Sequence, residues 1–438
     1  MKLGYSIVDI TPNEPVPLGG YGNGDARFSQ NVLSPLKAAC MAVTDEKNTT
    51  ALLFQLDALL IPGWFGKVVT EKIVEKTGVA GENVILHANH QHTTPEFSNK
   101  KHPAVVRYDE MVIERIVACA EEAMADRKIV TSAEMARTYT KGLNFVRHYV
   151  LEDGTYKGDN FGELNDSPYE GHTTEADPEM RLVKFHRAGG KDVVVANWQS
   201  HPHRTGGTKK YDVSADILGV MRDEMVEKLD CCFLYFNGGA GNINPTSRIA
   251  EENVTKTYVE QGQALANYAL SAVYSPLALG EVKVCTKTVW SPLNRPDPAI
   301  LDACLKIRDY WIETNDSMAS KRFSHTFGIN SQYAALQFIS RLNMKEEGFN
   351  FPFTAVRIGD LAVVGAPYEM FDTNAKYVRD NSPFPQTMVA SCCNDYFNYV
   401  PSSYGYTHGC YEADSSRAQP GSGERFAYAM VRMLRSLK

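Results

Sequence analysis

The stretch Val84-Ile85-Leu86-His87-Ala88-Asn89-His90-Gln91-His92-Thr93-Thr94-Pro95 (VILHANHQHTTP) joins a short branched-aliphatic run to three imidazoles. Such a run, closed by polar residues and a proline, predicts a buried strand whose carboxyl end is followed by chemistry. Open α/β sheets place their ligands at that end of the strands. If the chain remains extended past Leu86, the spacing of two puts His90 and His92 on one face. Spacing alone lets both rings bind a metal, or lets either do acid-base work.

Working outward from this stretch, the same arrangement recurs. Apolar runs at Ala51–Phe54, Val193–Ala196, Cys232–Phe236, Phe353–Ile358, Leu361–Val364 and Met388–Ser391 predict further strands, and the first residues, MKLGYSIVDITP, predict one that enters a Thr-Pro turn. Helical spacing of apolar residues marks Gly66–Lys76, Tyr108–Ala125, Ala215–Leu229, Tyr258–Val273 and Glu424–Leu437. The alternation predicts an α/β fold: mixed β-sheets flanked by helices, in one large elaborated domain with long active-site loops. With no internal repeat or linker composition, residues 1–438 read as a single unit, Pro276–Leu293 being the one stretch that invites a boundary. The polar, Gly/Pro-rich stretches Tyr149–Asp177 and Tyr404–Gly423 read as long loops that shape a binding site.

Three of the predicted strands besides Val84–Leu86 end in reactive groups. Val193–Ala196 leads into Asn197-Trp198-Gln199-Ser200-His201-Pro202-His203. Leu361–Val364 leads into Ala366-Pro367-Tyr368-Glu369, and Met388–Ser391 into Asn394 to Pro401, followed by Tyr411-Glu412. Taken singly, His201 reads as a hydrogen-bonded loop residue, Glu369 as the charge of a helix N-terminus, and Tyr399 as packing. Their shared position at strand ends is what joins them into one site.

The 438 residues are 43% hydrophobic and 22% charged with a formal net charge of −7, and no apolar run is long enough to span a bilayer. The charge includes no basic block, so nucleic acid and anionic membrane surfaces are not expected partners. A small substrate is. Nine cysteines without a CxxC pair, two of the pairs vicinal (Cys231/Cys232, Cys392/Cys393), predict free core thiols. As it begins, the chain reads as cytoplasmic, or as secreted if a signal peptide has been removed.

In these motifs the chain resembles the neutral/alkaline ceramidase family, specifically its N-terminal catalytic domain. The likeness runs through Asp9-Ile10-Thr11-Pro12, Gly19-Gly20-Tyr21, Asn89 to Pro95, Asn144 to Arg147, Asn197 to His201 with Ser214-Ala215-Asp216, Gly238 to Pro245 (GGAGNINP), Pro367-Tyr368-Glu369, and Asn394 to Pro401 with Tyr411-Glu412. The resemblance implies a hydrolase that uses Zn²⁺, held by His90, His201, Glu369 and Tyr399, with His92, Arg147 and Tyr411 acting on the substrate. The family's spacing from Asn-Trp makes His203 a rival for His201. Imidazole, carboxylate and phenol oxygen suit zinc. On this reading water is the nucleophile, His92 carries its proton, Arg147 and Tyr411 stabilise the oxyanion, and Glu412 orients a neighbour.

The resemblance also implies sphingolipid chemistry, but no C-terminal β-sandwich domain and no acyl-chain pocket can be recognised. The expected substrate is therefore a smaller acylated compound rather than long-chain ceramide. A zinc esterase acting on an acylated carbohydrate and a non-catalytic zinc-stabilised binding protein are the rival readings, and the oligomeric state is open.

Overall fold

The structure is a computed structural model that describes residues 1–21, 27–97, 102–160 and 168–438. Its largest sheet has nine strands, in the order Cys232–Asn237, Val193–Trp198, Glu179–Arg187, Lys128–Tyr139, Lys2–Asp9, Lys37–Thr44, Thr50–Leu56 and Val84–Ala88, with Ser275–Leu277 also on Lys128–Tyr139. The two end pairs are parallel, and the neighbours between them are antiparallel. Each parallel pair needs a crossover. Helix Gly63–Thr77 supplies it at one end and helix Asp216–Leu229 at the other.

A second sheet, in the order Val282–Pro292, Gly348–Ile358, Leu361–Gly365 and Gln386–Ala390, faces the first. Side-chain alternation assigns the layers. In Lys37–Thr44 and Thr50–Leu56, Ala39, Met41, Val43, Ala51 and Leu53 face the other sheet, where they meet Val356, Ile358, Val363 and Met388. The intervening Ala38, Cys40, Ala42, Leu52, Phe54 and Leu56 pack under helices Gly63–Thr77 and Pro103–Ala125. On the far side of the second sheet, Phe351, Phe353 and Ala355 pack on helices Asp372–Asp380 and Ser422–Ser436. The result is a helix, sheet, sheet, helix stack, which is the expected fold class with its helices on the outside.

All seven apolar runs read as strands are strands, and all five helical stretches are helices. In Pro276–Leu293, the stretch that invited a boundary, Val282–Pro292 is a strand paired along its whole length with Gly348–Ile358. Its exposed Lys287, Thr288 and Trp290 hide the apolar pattern. The described part of Tyr149–Asp177 is not featureless, because His148–Leu151, Tyr156–Gly158 and Tyr169–His172 form a three-stranded sheet; residues 161–167 lie outside the described residues. Tyr404–Gly423 likewise contains helices Ser403–His408 and Tyr411–Ser415. Cys40, Cys119, Cys231, Cys304, Cys392 and Cys393 are buried free thiols, as expected.

Candidate metal centre

The second sheet brings the distant strand ends together. Ala88 N donates to Cys392 O, and Asn394 N donates to Leu86 O while its Oδ1 accepts from Leu86 N. On the other flank, Ser391 N donates to Asn237 O, and Asn197 Nδ2 donates to Val389 O. The segment after Gln386–Ala390 thus bridges the two outer strands of the large sheet. Eight described non-glycine residues have a left-handed backbone, and four of them, His90, Cys392, Asn394 and Asn398, lie in the two segments that meet here. Such conformations cost about 1 kcal/mol or more each and persist where the surroundings fix them.

His90 and His92 do converge, with ring centroids 5.0 Å apart, but not along an extended strand. His90 has φ of 71°, so the chain turns there. The odd-numbered neighbours point the other way. Asn89 Nδ2 and Gln91 Nε2 both donate to Oδ1 of the fully buried Asp57, at 3.3 and 3.0 Å, and Arg222 pairs with its Oδ2. Asp57 therefore anchors the back of the segment whose front carries the histidines. His87 is a rivet: its Nδ1 donates to Ser391 O and its Nε2 accepts from Asn237 N.

His201, after the Val193–Trp198 strand, lies 5.0 Å from His90, ring to ring. Glu369 completes the cluster, and not from a helix. Glu369–Met370 is a two-residue strand parallel to Tyr399–Val400, with Glu369 opposite Tyr399, and the helix begins only at Asp372. A dipole reading of Glu369 is thus replaced by a backbone register that sets carboxylate beside phenol.

Glu369 Oε2 is 3.1 Å from His90 Nε2 and 3.1 Å from His201 Nε2. Both rings are turned by backbone carbonyls: His90 Nδ1 is 2.8 Å from Leu59 O, and His201 Nδ1 is 2.7 Å from Ala240 O. A carbonyl only accepts, so each Nδ1 carries a proton, and each ring is held with Nε2 directed at the carboxylate. His90 Nε2 and Glu369 Oε2 are buried and make no hydrogen bond. One carboxylate oxygen and two imidazole nitrogens thus face one another around a single point. Burial, then Arg147, pushes His201 down to about 3, so it contributes no charge. Burial alone would raise Glu369, but contact with His90 and His201 holds it well below the usual carboxylate range. Its other oxygen accepts from Tyr396 Oη.

The remaining predicted residues gather around this point. Tyr399 Oη and Arg147 Nη1 each lie 3.4 Å from His201 Nε2. Arg147 is held by Glu412 through Nε at 2.5 Å and by Gly241 O through Nη2 at 2.7 Å, so Nη1 is the edge turned to the site. Tyr411 packs on Tyr399 with centroids 5.7 Å apart. Burial, then His90 and His201, keep His92 far below its ordinary value, and both of its ring nitrogens are buried without a hydrogen bond. Donor atoms of His90, His92 and His201 lie within 4.8 Å of one another. The rival His203 bonds Asn244 Oδ1 through Nε2 at 3.1 Å and stands outside the cluster.

A second group, His148, Cys410 and Glu412, is also close enough to hold an ion. It differs in being closed by donors. Glu412 accepts from His148 Nε2 at 2.9 Å, from Asn160 Nδ2 at 2.9 Å and from Arg147. Asp57, His148, Asn160 and Tyr396 were not singled out from sequence. Only Tyr396 carried a signal, through its place in the Asn394 to Pro401 motif.

The Gly238 to Pro245 loop supports the cluster by close approach. A Cβ on Gly241 would meet the Glu369 carbonyl oxygen at 2.9 Å, and Gly241 N donates to Met370 O at 2.8 Å. Gly241 therefore serves contact with the Glu369 backbone, while Gly238 and Gly239 lie against Gln199 and Asp372.

No protein-family profile and no characterised protein sequence matches the chain. Its shape does find counterparts. The chain superposes on the crystal structure of neutral ceramidase from Pseudomonas aeruginosa with a TM-score of 0.73 and 17% identity, covering 100% of this chain and 74% of that one. A ceramidase complexed with C2 superposes with a TM-score of 0.71 and 16% identity, covering 100% and 75%. The likeness read from scattered motifs is a likeness of the whole fold.

Proposed function

We propose that the protein is a zinc-dependent hydrolase that cleaves an amide bond in a small N-acyl compound. The observation that carries this reading is the meeting of His90 Nε2, His201 Nε2 and Glu369 Oε2, three lone-pair donors held by their backbone contacts around one point. Such a set suits a cation, because a carboxylate buried at this depth needs a countercharge beside it. The 3.4 Å approach of Tyr399 Oη to His201 Nε2 supports it as the fourth protein ligand. This donor set fits Zn²⁺, which when bound polarises a carbonyl and acidifies water.

The chain's own residues supply the rest. His92 is neutral and has both ring nitrogens unengaged beside the cluster, so it can take a proton from water and return it to the leaving nitrogen. Arg147 keeps its charge through Glu412 and turns only Nη1 toward the site, where an oxyanion would develop. Tyr411, set edge to face against Tyr399, borders the same space. An ester reacts through a similar oxyanion, so O-acyl compounds belong in the same substrate screen. The ceramidase-like shape of the chain agrees with acyl chemistry. Among the described residues no helix is long and apolar enough to cross a membrane.

The test joins metal content to turnover. We expect about one equivalent of zinc in the purified protein and its loss in His90→Ala and Glu369→Ala. In His92→Ala the zinc should remain while hydrolysis across N-acyl and O-acyl compounds of graded chain length falls by about 10²-fold or more. Zinc retained in the first two variants sinks the proposal. Loss of zinc in His92→Ala would instead make it a third histidine ligand, as the closeness of the three imidazoles allows.

A further inference from the structure

An imidazole that moves protons is ordinarily aimed by a hydrogen bond on the nitrogen that does not react. His92 has none among the described residues, since both of its ring nitrogens are buried and unbonded. Its direction is therefore set by packing and by its own main chain. The Gly19-Gly20-Tyr21 segment supplies the packing. Gly20 has φ of 105°, and a Cβ there would lie 2.6 Å from His92 Cα and 2.7 Å from its Cγ. The Tyr21 ring meets the imidazole edge to face, with centroids 5.3 Å apart.

The main chain is held by a cation. Arg27 is fully buried. Its Nη2 donates to His92 O at 3.0 Å and to Gly19 O, and its Nη1 donates to Lys210 O. Its Cζ lies 4.8 Å from the centre of the Tyr21 ring. One guanidinium thus spans three segments: the one that carries His92, the one that packs on its ring, and the chain beyond His203. All three of these acceptors are main-chain carbonyls. Burial pushes Arg27 down to about 10, so it remains charged at neutral pH, and charge-assisted bonds to carbonyls are the stronger kind. A rigid planar fork of donors can reach three carbonyls at once, which a single ammonium or amide cannot do in the same geometry. The other main-chain tie of His92, from its N to Pro202 O, is 3.4 Å long.

We propose that Arg27 is a positioning residue for His92, fixing its carbonyl and the Gly19 to Tyr21 wall against which its ring rests. This role rests on the reading of His92 as the proton carrier.

Arg27→Lys keeps the charge and Arg27→Gln keeps an amide donor, and neither spans the three carbonyls. In both, zinc content and far-UV circular dichroism should match the parent. For the N-acyl compound that the parent cleaves fastest, kcat should fall about 10- to 100-fold with KM within about threefold, as when a catalytic group is slightly misplaced. In the His92→Ala background the same substitutions should lower kcat no further. With histidine labelled by carbon-13 at Cε1, the NMR signal that His92→Ala removes should move or broaden in both variants. The signal of His186, which bonds Glu134 and Asp192, should stay. An unmoved His92 signal, an additive loss in the His92→Ala background, or zinc lost from both variants would each overturn the proposal. A parent-like rate in His92→Ala would remove the proton carrier and this role with it, whereas a full loss there with an unmoved signal would remove this role alone.

Discussion

Asp372 is 2% exposed, and its carboxylate accepts from Asn242 Nδ2 at 2.8 Å and from the backbone of Thr373 and Asp177. Burial, only partly offset by these bonds, pushes it from 3.8 up to about 6. A carboxyl that holds its proton more tightly folded than unfolded costs nothing below about pH 4. Its cost grows as pH rises and is complete above about 6, so stability is lost across that window, by up to about 3 kcal/mol. Replacing it by Asn removes this dependence. The stability of Asp372→Asn relative to the parent, from urea unfolding at pH 4 and pH 8, should rise by that amount, and a constant difference would refute it. At this scale the sequence showed which reactive side chains stand at strand ends but not what holds them. The spacing of His90 and His92 was visible, whereas the left-handed turn at His90, the Asp57 anchor and the Tyr396 bond to Glu369 come from residues far apart in the chain.

The elements that hold the site are small. Glu369–Met370 and Tyr399–Val400 pair over two residues each, yet that register sets the carboxylate opposite the phenol. The Gly238 to Pro245 loop presses on the same backbone through Gly241. Gly241→Ala should displace Glu369 and weaken zinc retention by about tenfold or more, as losses around metal ligands do. Competition against a chelator measures this, with far-UV circular dichroism unchanged. Unaltered affinity would mean that the loop accommodates the methyl group. Buried apolar strands such as Val193–Trp198 and Cys232–Asn237 and the 3.6-period helices were legible, whereas Lys37–Thr44, Lys128–Tyr139 and Glu179–Arg187 were not read. The helices Leu301–Thr314, Ser317–His325 and Gln332–Asn343 were not read, since they bury few large side chains and form a separate small cluster around Cys304 and Ile307. A two-residue strand has no period at all, which is why Glu369 read as the start of a helix.

For the whole molecule, the layer between the two sheets is the structural keystone, because it fixes the distance between the outer strand ends. Leu53 is fully buried there among Ile85, Val356 and Val363. Leu53→Ala should cost about 2–5 kcal/mol in urea unfolding, as buried leucine truncations do. The loss should appear at saturating zinc as well as without it, and a change under about 1 kcal/mol would show that the sheets re-pack. The α/β class was legible from alternating patterns, but the face-to-face stacking of the sheets was not, because partners such as Leu53 and Val356 are set by long-range pairing. The bridge made by the chain after Gln386–Ala390 has a consequence for biosynthesis. A chain emerging from the ribosome presents His90 and His201 long before Glu369, Tyr399 and Glu412 have been joined to it. Until then the two outer strands lack the segment that ties them, so the candidate site stays incomplete through the whole stretch of synthesis that separates His201 from Glu412.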